Sequence, residues 1–243
     1  MTEGGGTRVR EATEADVDAI HGVFRAVYGD DYPYARFSDP RWLKRSIYSD
    51  DIVMLVALDE AGEVLGSASV VFDVGAHTDL IGEFGRLVVH PKARGRGLGH
   101  RLMDKRIELA ADRVHVAVVE NRCTHPFSQR ISRAHDFVPV GFLPLKHRFR
   151  SRESIALYVR HFGAALALRN NHPRVVPEAH ELAHFALDAC GLTPDAIVDE
   201  DSAAYPRERD FVLEELTAAG MPALLRIERG RVRHREIFGP MRL

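Results

Sequence analysis

The sequence predicts an α/β fold built on one mixed sheet, and three observations carry that prediction. Strand-like and helix-like segments follow one another in the order β-α-α-β-β-β-α-β-α-β-β over roughly the first 160 residues, the size of one domain. Two apolar runs, Ile52 to Leu58 and Val64 to Phe72, are split by Asp59-Glu60-Ala61-Gly62, a hairpin signal. A glycine-rich loop, Arg94 to Gly99, stands between a strand that ends at His90-Pro91 and an amphipathic helix. The chain has 243 residues, long for one domain and short for two large ones, so an appendage is expected after the first unit. With 45% hydrophobic and 28% charged residues it is globular in composition, which excludes a disordered chain. The 33 Lys and Arg against 35 Asp and Glu leave a formal charge of −2, so no global drive toward nucleic acid or membrane exists and neither is an expected partner. Anion binding must be local.

Residues 1–7 read as a flexible start, and Arg8 to Ala12 as the first strand. Thr13 is an N-cap with Asp16 at the capping-box position, and Val17, Ile20, Val23, Phe24 and Val27 follow at helical spacing. Gly29, Asp30, Asp31 and Pro33 end that helix, the next loop carries Tyr32 and Tyr34, and a short helix spans Pro40 to Tyr48. After the hairpin, Leu80 to Val89 is a strand; the helix beyond the glycine loop carries Leu102, Met103, Ile107 and Leu109 or Ala110. Val114 to Val119 is a strand, Pro126 to His135 a helix, Phe137 to Leu145 a turn into a strand, and Ile155 to Val159 the last strand of a domain over 8–162. The extension 163–243 reads as helices Pro177 to Cys190 and Pro206 to Ala219, then a hairpin of Leu224 to Arg229 and Val232 to Phe238 about Gly230. It has too few strands for its own sheet and is expected to dock on the first domain, as a degenerate half-repeat or a stabilising appendage. Cys123 and Cys190 cannot make a disulfide framework, and the polar start and the lack of any long apolar run point to a cytoplasmic protein.

The informative stretch is Leu87-Val88-Val89-His90-Pro91-Lys92-Ala93-Arg94-Gly95-Arg96-Gly97-Leu98-Gly99-His100. Closely spaced glycines let backbone N–H groups converge on an anion, and the helix N-terminus behind them adds partial positive charge. Lys92, Arg94, Arg96, His100, Arg101 and Lys105 supply cations around it, and Arg106 belongs to the same basic helix. The same glycines would serve a plain turn before a solvated basic helix. There is no G-x-x-x-x-G-K-[ST], and the dinucleotide fingerprint fails because Gly95-x-Gly97-x-Gly99 lacks the final x-x-G and no parallel βαβ frame is expected around it.

Arg94-x-x-Gly97-x-Gly99 after a Leu-Val-Val-His-Pro strand end resembles the acyl-CoA-binding signature of the GNAT acyltransferase superfamily, and the element order over residues 8–160 is similar too. The resemblance implies a GNAT-like fold with acetyl-CoA or another acyl-CoA as co-substrate. Its pyrophosphate would lie on the amides around Arg94, Gly95, Arg96, Gly97, Leu98, Gly99 and His100. Leu87, Val88 and Val89 would sit on a splayed strand pairing with the pantetheine arm, the Val89 N–H facing the thioester carbonyl as an oxyanion-type donor. Glu83, eleven residues before Arg94, stands where histone-modifying members carry a glutamate base; its bland alternative is an ion pair with Arg86.

The resemblance breaks at the general acid. The family's N-x-x-A-x-x-L-Y-x-x-x-G-F aligns with His125 to Phe137, so Ser132 replaces the tyrosine, His125 the Asn and Asp136 the Gly. Ser132, His125, His135 or a held water are the candidates for protonating the leaving thiolate. Tyr32 and Tyr34 are the candidates for the acceptor site.

His180-Glu181-Leu182-Ala183-His184 matches H-E-x-x-H on a helix, the pattern of zinc peptidases. No G-x-x-H follows, Glu200 and Glu208 are the nearby carboxylates, and Ala179, Leu182, Ala183, Ala186 and Cys190 make a packing face, so no metal is expected. The reading is therefore an N-acyltransferase for a small-molecule amine, acting in a ternary complex, with acetyl the first expectation for the acyl group. The alternatives are an acyl carrier protein's phosphopantetheine as donor, a non-catalytic acyl-CoA sensor, and, remotely, a zinc hydrolase through His180 and His184. A homodimer is a further expectation.

Overall fold

A computed structural model describes residues 6–34, 37, 39–72, 74, 80–167, 174–175, 177–193, 196–197, 224–227 and 231–235. The chain divides into two compact units, Met1–Phe72 with Leu80–Arg169, and Asp73–Asp79 with Asn170–Leu243. The expected loose start at 1–5, the helix Pro206 to Ala219, and Glu200 and Glu208 lie outside the described residues.

The first unit follows the order read from the sequence: β1 (Arg8–Glu11), α1 (Val17–Tyr28), α2 (Pro40–Ile47), β2 (Ile52–Leu58), β3 (Val64–Val71), β4 (Ile81–Val89), α3 (Leu98–Ala110), β5 (Val116–Arg122), α4 (Phe127–Ala134), β6 (Val138–Arg148) and β7 (Arg152–His161). The strands form one mixed sheet in the order β1-β2-β3-β4-β5-β7-β6. The start of α1 shows why the capping signal works with aspartate. Asp16 accepts from the Thr13 backbone N–H at 2.7 Å and from both terminal nitrogens of Arg10 at 2.7 and 2.9 Å. Gly29, at φ 62°, ends α1 as its sequence position predicts.

Each face of the sheet is covered by a helix pair. On one side Ile20, Phe24, Leu43, Met54, Val56 and Val88 form the core under α1 and α2. On the other, Leu55, Phe84, Leu98, Leu102, Met103 and Phe137 form the core under α3 and α4. Gly99 on α3 is there for packing, since a Cβ would stand 2.6 Å from Cδ1 of Ile131 on α4.

Two features of β4 position the site. It pairs with β5 in parallel only at Ile81–Val116, Gly82–Ala117 and Glu83–Val118; beyond Glu83 the strands part. A parallel β4-α3-β5 unit therefore does exist around the glycine loop, contrary to the sequence expectation, and the dinucleotide fingerprint fails on spacing alone. On its other edge β4 pairs with β3 through a bulge, where the register slips between Ser67 and Ser69 and Arg86 adopts φ 59°.

In the second unit the helix expected over Pro177 to Cys190 is α5 (Pro177–Ala189). β8 (Arg174–Val175) pairs in parallel with β9 (Ala196–Ile197), and β10 (Leu224–Ile227) pairs antiparallel with β11 (Arg231–Arg235), within the expected hairpin. The packing face expected on α5 is not buried: the helix buries none of its residues, and Leu182 is 68% exposed. Among the described residues no helix is long and apolar enough to cross a membrane.

Candidate active site

The glycine loop has the geometry of an anion cradle. Gly95 and Gly97 adopt φ 79° and 73°, Gly97 caps the N-terminus of α3, and neither would meet an atom within 4 Å if it carried a Cβ. Open space, left-handed backbone and a helix N-terminus together suit a pyrophosphate. Arg94 and Arg96 are exposed beside it. Leu98 is 2% exposed, so its amide and not its side chain can serve here. Gly99 is committed to α4, and the exposed His100 packs on His135 with the ring centres 5.3 Å apart and the planes tilted.

The cations expected along α3 are distributed otherwise. Arg101 donates to the Thr7 carbonyl at 2.6 Å, and Lys105 pairs with Glu108 at 2.5 Å. Arg106 is not on the surface at all: it is 1% exposed, within the α3 core face. Lys92 is paired with Glu63.

From the cradle, β4 leads into the gap left by β5. The His90 N–H donates to the Leu65 carbonyl at 2.8 Å, so the alternation of the ladder turns the Val89 N–H to the opposite edge, where β5 has parted. A cavity opens there, reached by Glu83, Arg86, Leu87, Ser132 and His125. The Glu83 carboxylate folds over Gly85 and lies 3.5 Å from Nη1 of Arg86, so the ion pair foreseen as its bland alternative is formed, with 27% of the glutamate side chain still exposed. Arg86 is further held by Ser69 Oγ at 3.2 Å and by the Phe37 ring.

The candidates for the acid differ sharply. Ser132 is fully buried and its hydroxyl accepts from Asn121 Nδ2 at 2.9 Å. His125 is half-buried, and burial, followed by the nearby Arg122 charge, pulls its pKa below the ordinary value, so it is neutral near pH 7. His125 Nδ1 and Ser128 Oγ are buried without a hydrogen-bond partner, and both line the cavity. Such orphaned atoms fit a ligand arm that carries amide groups. Asp136, in the place of the glycine, adopts φ 61°, the conformation glycine would favour. His135 lies away from the cavity, bonded to the Ile131 carbonyl and to Asp104.

On the α1 side the cavity has an aromatic wall. Tyr32 packs on Tyr28 at 4.8 Å and on Tyr34 at 5.6 Å, Tyr28 stacks on Phe149 at 5.8 Å, and Tyr34 meets His147 edge-on at 5.8 Å. Burial pushes the Tyr32 phenol well above its usual range. Glu120 joins this wall. Burial alone would raise its pKa, but the bonds from His147 (2.8 Å) and Lys146 (2.5 Å) outweigh that and hold it below the ordinary carboxylate value. Arg122 grips Glu153 through two bonds of 2.6 Å and lies over the Phe149 ring.

The sequence pointed to the two tyrosines but not to Glu120, Arg122, Lys146 or His147. A signal was present: Glu120 and Arg122 interrupt the apolar run of β5 two residues apart, on one face of the strand.

Residues 19–130 match the sequence profile of the acetyltransferase (GNAT) family. Over that stretch the chain is similar to the GNAT acetyltransferases. The chain is similar in structure to yncA of Salmonella typhimurium, a putative acetyltransferase solved with its cofactor acetyl-CoA, at 21% identity and TM-score 0.58 over 65% of this chain and 95% of that one. It is similar to the ribosomal-protein-alanine N-acetyltransferase of Brucella melitensis at 25% identity and TM-score 0.55, over 64% of this chain and 99% of that one. Spermidine N-acetyltransferase SpeG of Vibrio cholerae matches at 15% identity and TM-score 0.55, over 66% of this chain and 96% of that one. No curated protein matches the chain significantly in sequence.

His180 and His184 stack one turn apart on α5, with ring centres 6.0 Å apart. No group of three His, Cys, Asp or Glu side chains suited to a metal occurs among the described residues.

Proposed function

We propose that the GNAT domain is an acyl-CoA-dependent N-acyltransferase acting on a small-molecule amine in a ternary complex. The observation that carries this reading is the continuity of one path. It runs from the Gly95–Gly97 cradle, along the open edge of β4 at Val89, to a cavity holding Glu83 and the aromatic wall. The donor's pyrophosphate would rest on the loop amides, and the arm's amides would meet the orphaned His125 and Ser128 atoms. Glu83 takes a proton from the ammonium of the acceptor, the free amine attacks the thioester carbon, a C–N bond forms and the C–S bond breaks. The carbonyl oxygen is stabilised by the Val89 N–H. The thiolate leaves as free thiol by taking the proton that the attacking nitrogen sheds, and neutral His125 can relay it by accepting at one ring nitrogen while donating from the other, whereas Ser132 is held by Asn121 in a fully buried pair. The tyrosine faces suit an ammonium, and the half-buried wall suits a small acceptor. Free Cys123 and Cys190 agree with a reducing cytoplasm.

One observation favours the carrier-protein donor as a second reading. Of Arg101, Lys105 and Arg106, the cations that would greet an adenosine 3′-phosphate, the first two are otherwise engaged and the third is buried away from the helix surface. Thermal unfolding with acetyl-CoA, free CoA and phosphopantetheine added separately tests both. A ligand at 100 times its Kd adds about 2.7 kcal/mol of stability. A shift with CoA species larger than with phosphopantetheine supports the first reading, equal shifts support the second, and no shift with any of them sinks both.

A further inference from the structure

Arg106 is the residue the proposed reaction leaves unexplained. It sits in the middle of α3, 1% exposed, at a position shared with Leu98, Leu102, Met103 and Ala110 on the buried face. Its hydrogen bonds are marginal: Nη1 to the Gly85 carbonyl at 3.3 Å and Nη2 to the Met103 sulfur at 3.2 Å. Nε has no partner, and the guanidinium lies over the Phe84 ring at 5.2 Å. No carboxylate among the described residues pairs with it. The other arginines lining this cavity are matched, Arg86 with Glu83 and Arg122 with Glu153. An unmatched buried cation carries a large desolvation cost, and a guanidinium stays protonated at neutral pH even when burial pushes it down to about 9, as it does here. The cavity that Glu83, Leu87 and Ser132 line also reaches Arg106. The missing counter-charge therefore has a route of entry.

We infer that Arg106 is the anchor for a carboxylate at the far end of the donor's acyl group, so that the preferred donors are dicarboxylic monothioesters of the succinyl type. This rests on the acyl-CoA reading above and narrows it from acyl groups in general to acidic ones. The position favours the donor over the acceptor as the source of the carboxylate. Arg106 lies nine residues beyond the Gly97 cap, roughly 13 Å along the helix that begins at the cradle, and on the α3 side of the sheet. The aromatic wall and Glu83, which would meet the acceptor, belong with α1.

Calorimetric binding of succinyl-CoA, butyryl-CoA, acetyl-CoA and free CoA, without acceptor, tests it. Butyryl matches succinyl in length and lacks only the charge. The wild-type protein should bind succinyl-CoA roughly 10- to 100-fold more tightly than butyryl-CoA, the range of a charge-assisted, water-excluded hydrogen bond. In Arg106→Met the two should bind alike while free CoA is unchanged, and the ligand-free variant should melt higher, because an isolated buried charge has been replaced by an apolar side chain of similar size. Equal affinity of the wild type for succinyl- and butyryl-CoA overturns the inference while leaving the acyltransferase reading standing, and this arm needs no variant to fold. A lower melting temperature for a folded Arg106→Met that keeps the succinyl preference also overturns it, marking a purely structural arginine. If no CoA species binds, both readings fall. If a carboxylate-bearing acceptor and not succinyl-CoA loses affinity in Arg106→Met, the charge belongs to the acceptor and the donor assignment is wrong.

Discussion

Glu83 and Ser132 show how one residue's neighbours decide its role. Glu83 keeps part of its carboxylate accessible although Arg86 is 3.5 Å away, so it can exchange a proton with an incoming ammonium. Glu83→Gln should lower turnover by about 10²–10⁴-fold, flatten the acid limb of the pH–rate profile and leave donor affinity nearly unchanged. Steady-state rates against pH check this, and an unchanged rate removes Glu83 as the base. Ser132 is tied to Asn121 in a fully buried pair. Ser132→Ala strands the Asn121 amide and should cost about 1–3 kcal/mol of stability, with a smaller effect on turnover than His125→Ala. Denaturant unfolding and initial rates separate the two roles, and a neutral Ser132→Ala would show that the pair contributes nothing to stability.

At the scale of elements, the loop before α3 and the first turn of that helix divide two functions among glycines that look alike in the sequence. Gly95 and Gly97 have open space and left-handed backbone, whereas Gly99 has neither and is needed for contact with Ile131. Gly97→Glu puts a carboxylate into the cradle at φ 73°, so donor affinity should fall by more than 10²-fold, together with a loss of about 1–2 kcal/mol from backbone strain. Calorimetry with free CoA reads the first effect and thermal unfolding the second; undiminished affinity would take the pyrophosphate away from this loop. The order of strands and helices in the first unit was legible because each element carries its own period and its own stop signal, such as Gly29 after α1. The buried Arg106 was legible only in part. Leu98, Leu102, Met103 and Ala110 define a face on which 106 falls, but apolar Ile107 next to it made the reading drift by one residue. Cross-strand partners such as Glu120 with Lys146 and His147 depend on which strands become neighbours, and a local pattern does not contain that.

For the whole molecule, the paired charges set a pH dependence in two stages. Burial holds His125 and His161 below their ordinary pKa, so the unfolded chain takes up protons that the native one refuses, and stability should begin to decline as pH falls through about 6.5. Asp16 is held low by Arg10, Glu153 by Arg122, and Glu120 by His147 and Lys146 against its burial. Their contribution is fully present above the unfolded value and is lost on acidification, giving a steeper decline below about 4.5. Melting temperatures from pH 8 to 3 check this. A flat profile down to pH 5 would show that neither histidine contributes, and no further loss below 4.5 would show that the carboxylates are not held by their cations.

The bulge at Arg86 puts the two halves of β4 out of phase. Before it, Phe84 faces the α3 side; after it, Val88 faces the α1 side, and Leu87 and Val89 have taken over the α3 side. In a plain strand Phe84 and Val88, four residues apart, would face the same way. Between the Ser69–Gly85 and Ser67–Val88 pairs, two residues of β4 stand against one of β3. Deleting Arg86 would leave Phe84, Leu87 and Val89 at alternate positions on the α3 side with Val88 on the α1 side, so both cores keep their residues and the deletion should fold with an unbulged β4. Arg86→Gly, which keeps the bulge and relieves the φ of 59°, should fold too, though it also removes the Glu83 partner. Thermal unfolding reads both variants, and a deletion variant that fails to fold would mean that the sheet needs the bulge itself. The bulge thus adds to the strand a residue that neither core requires, and its side chain is the one that reaches Glu83.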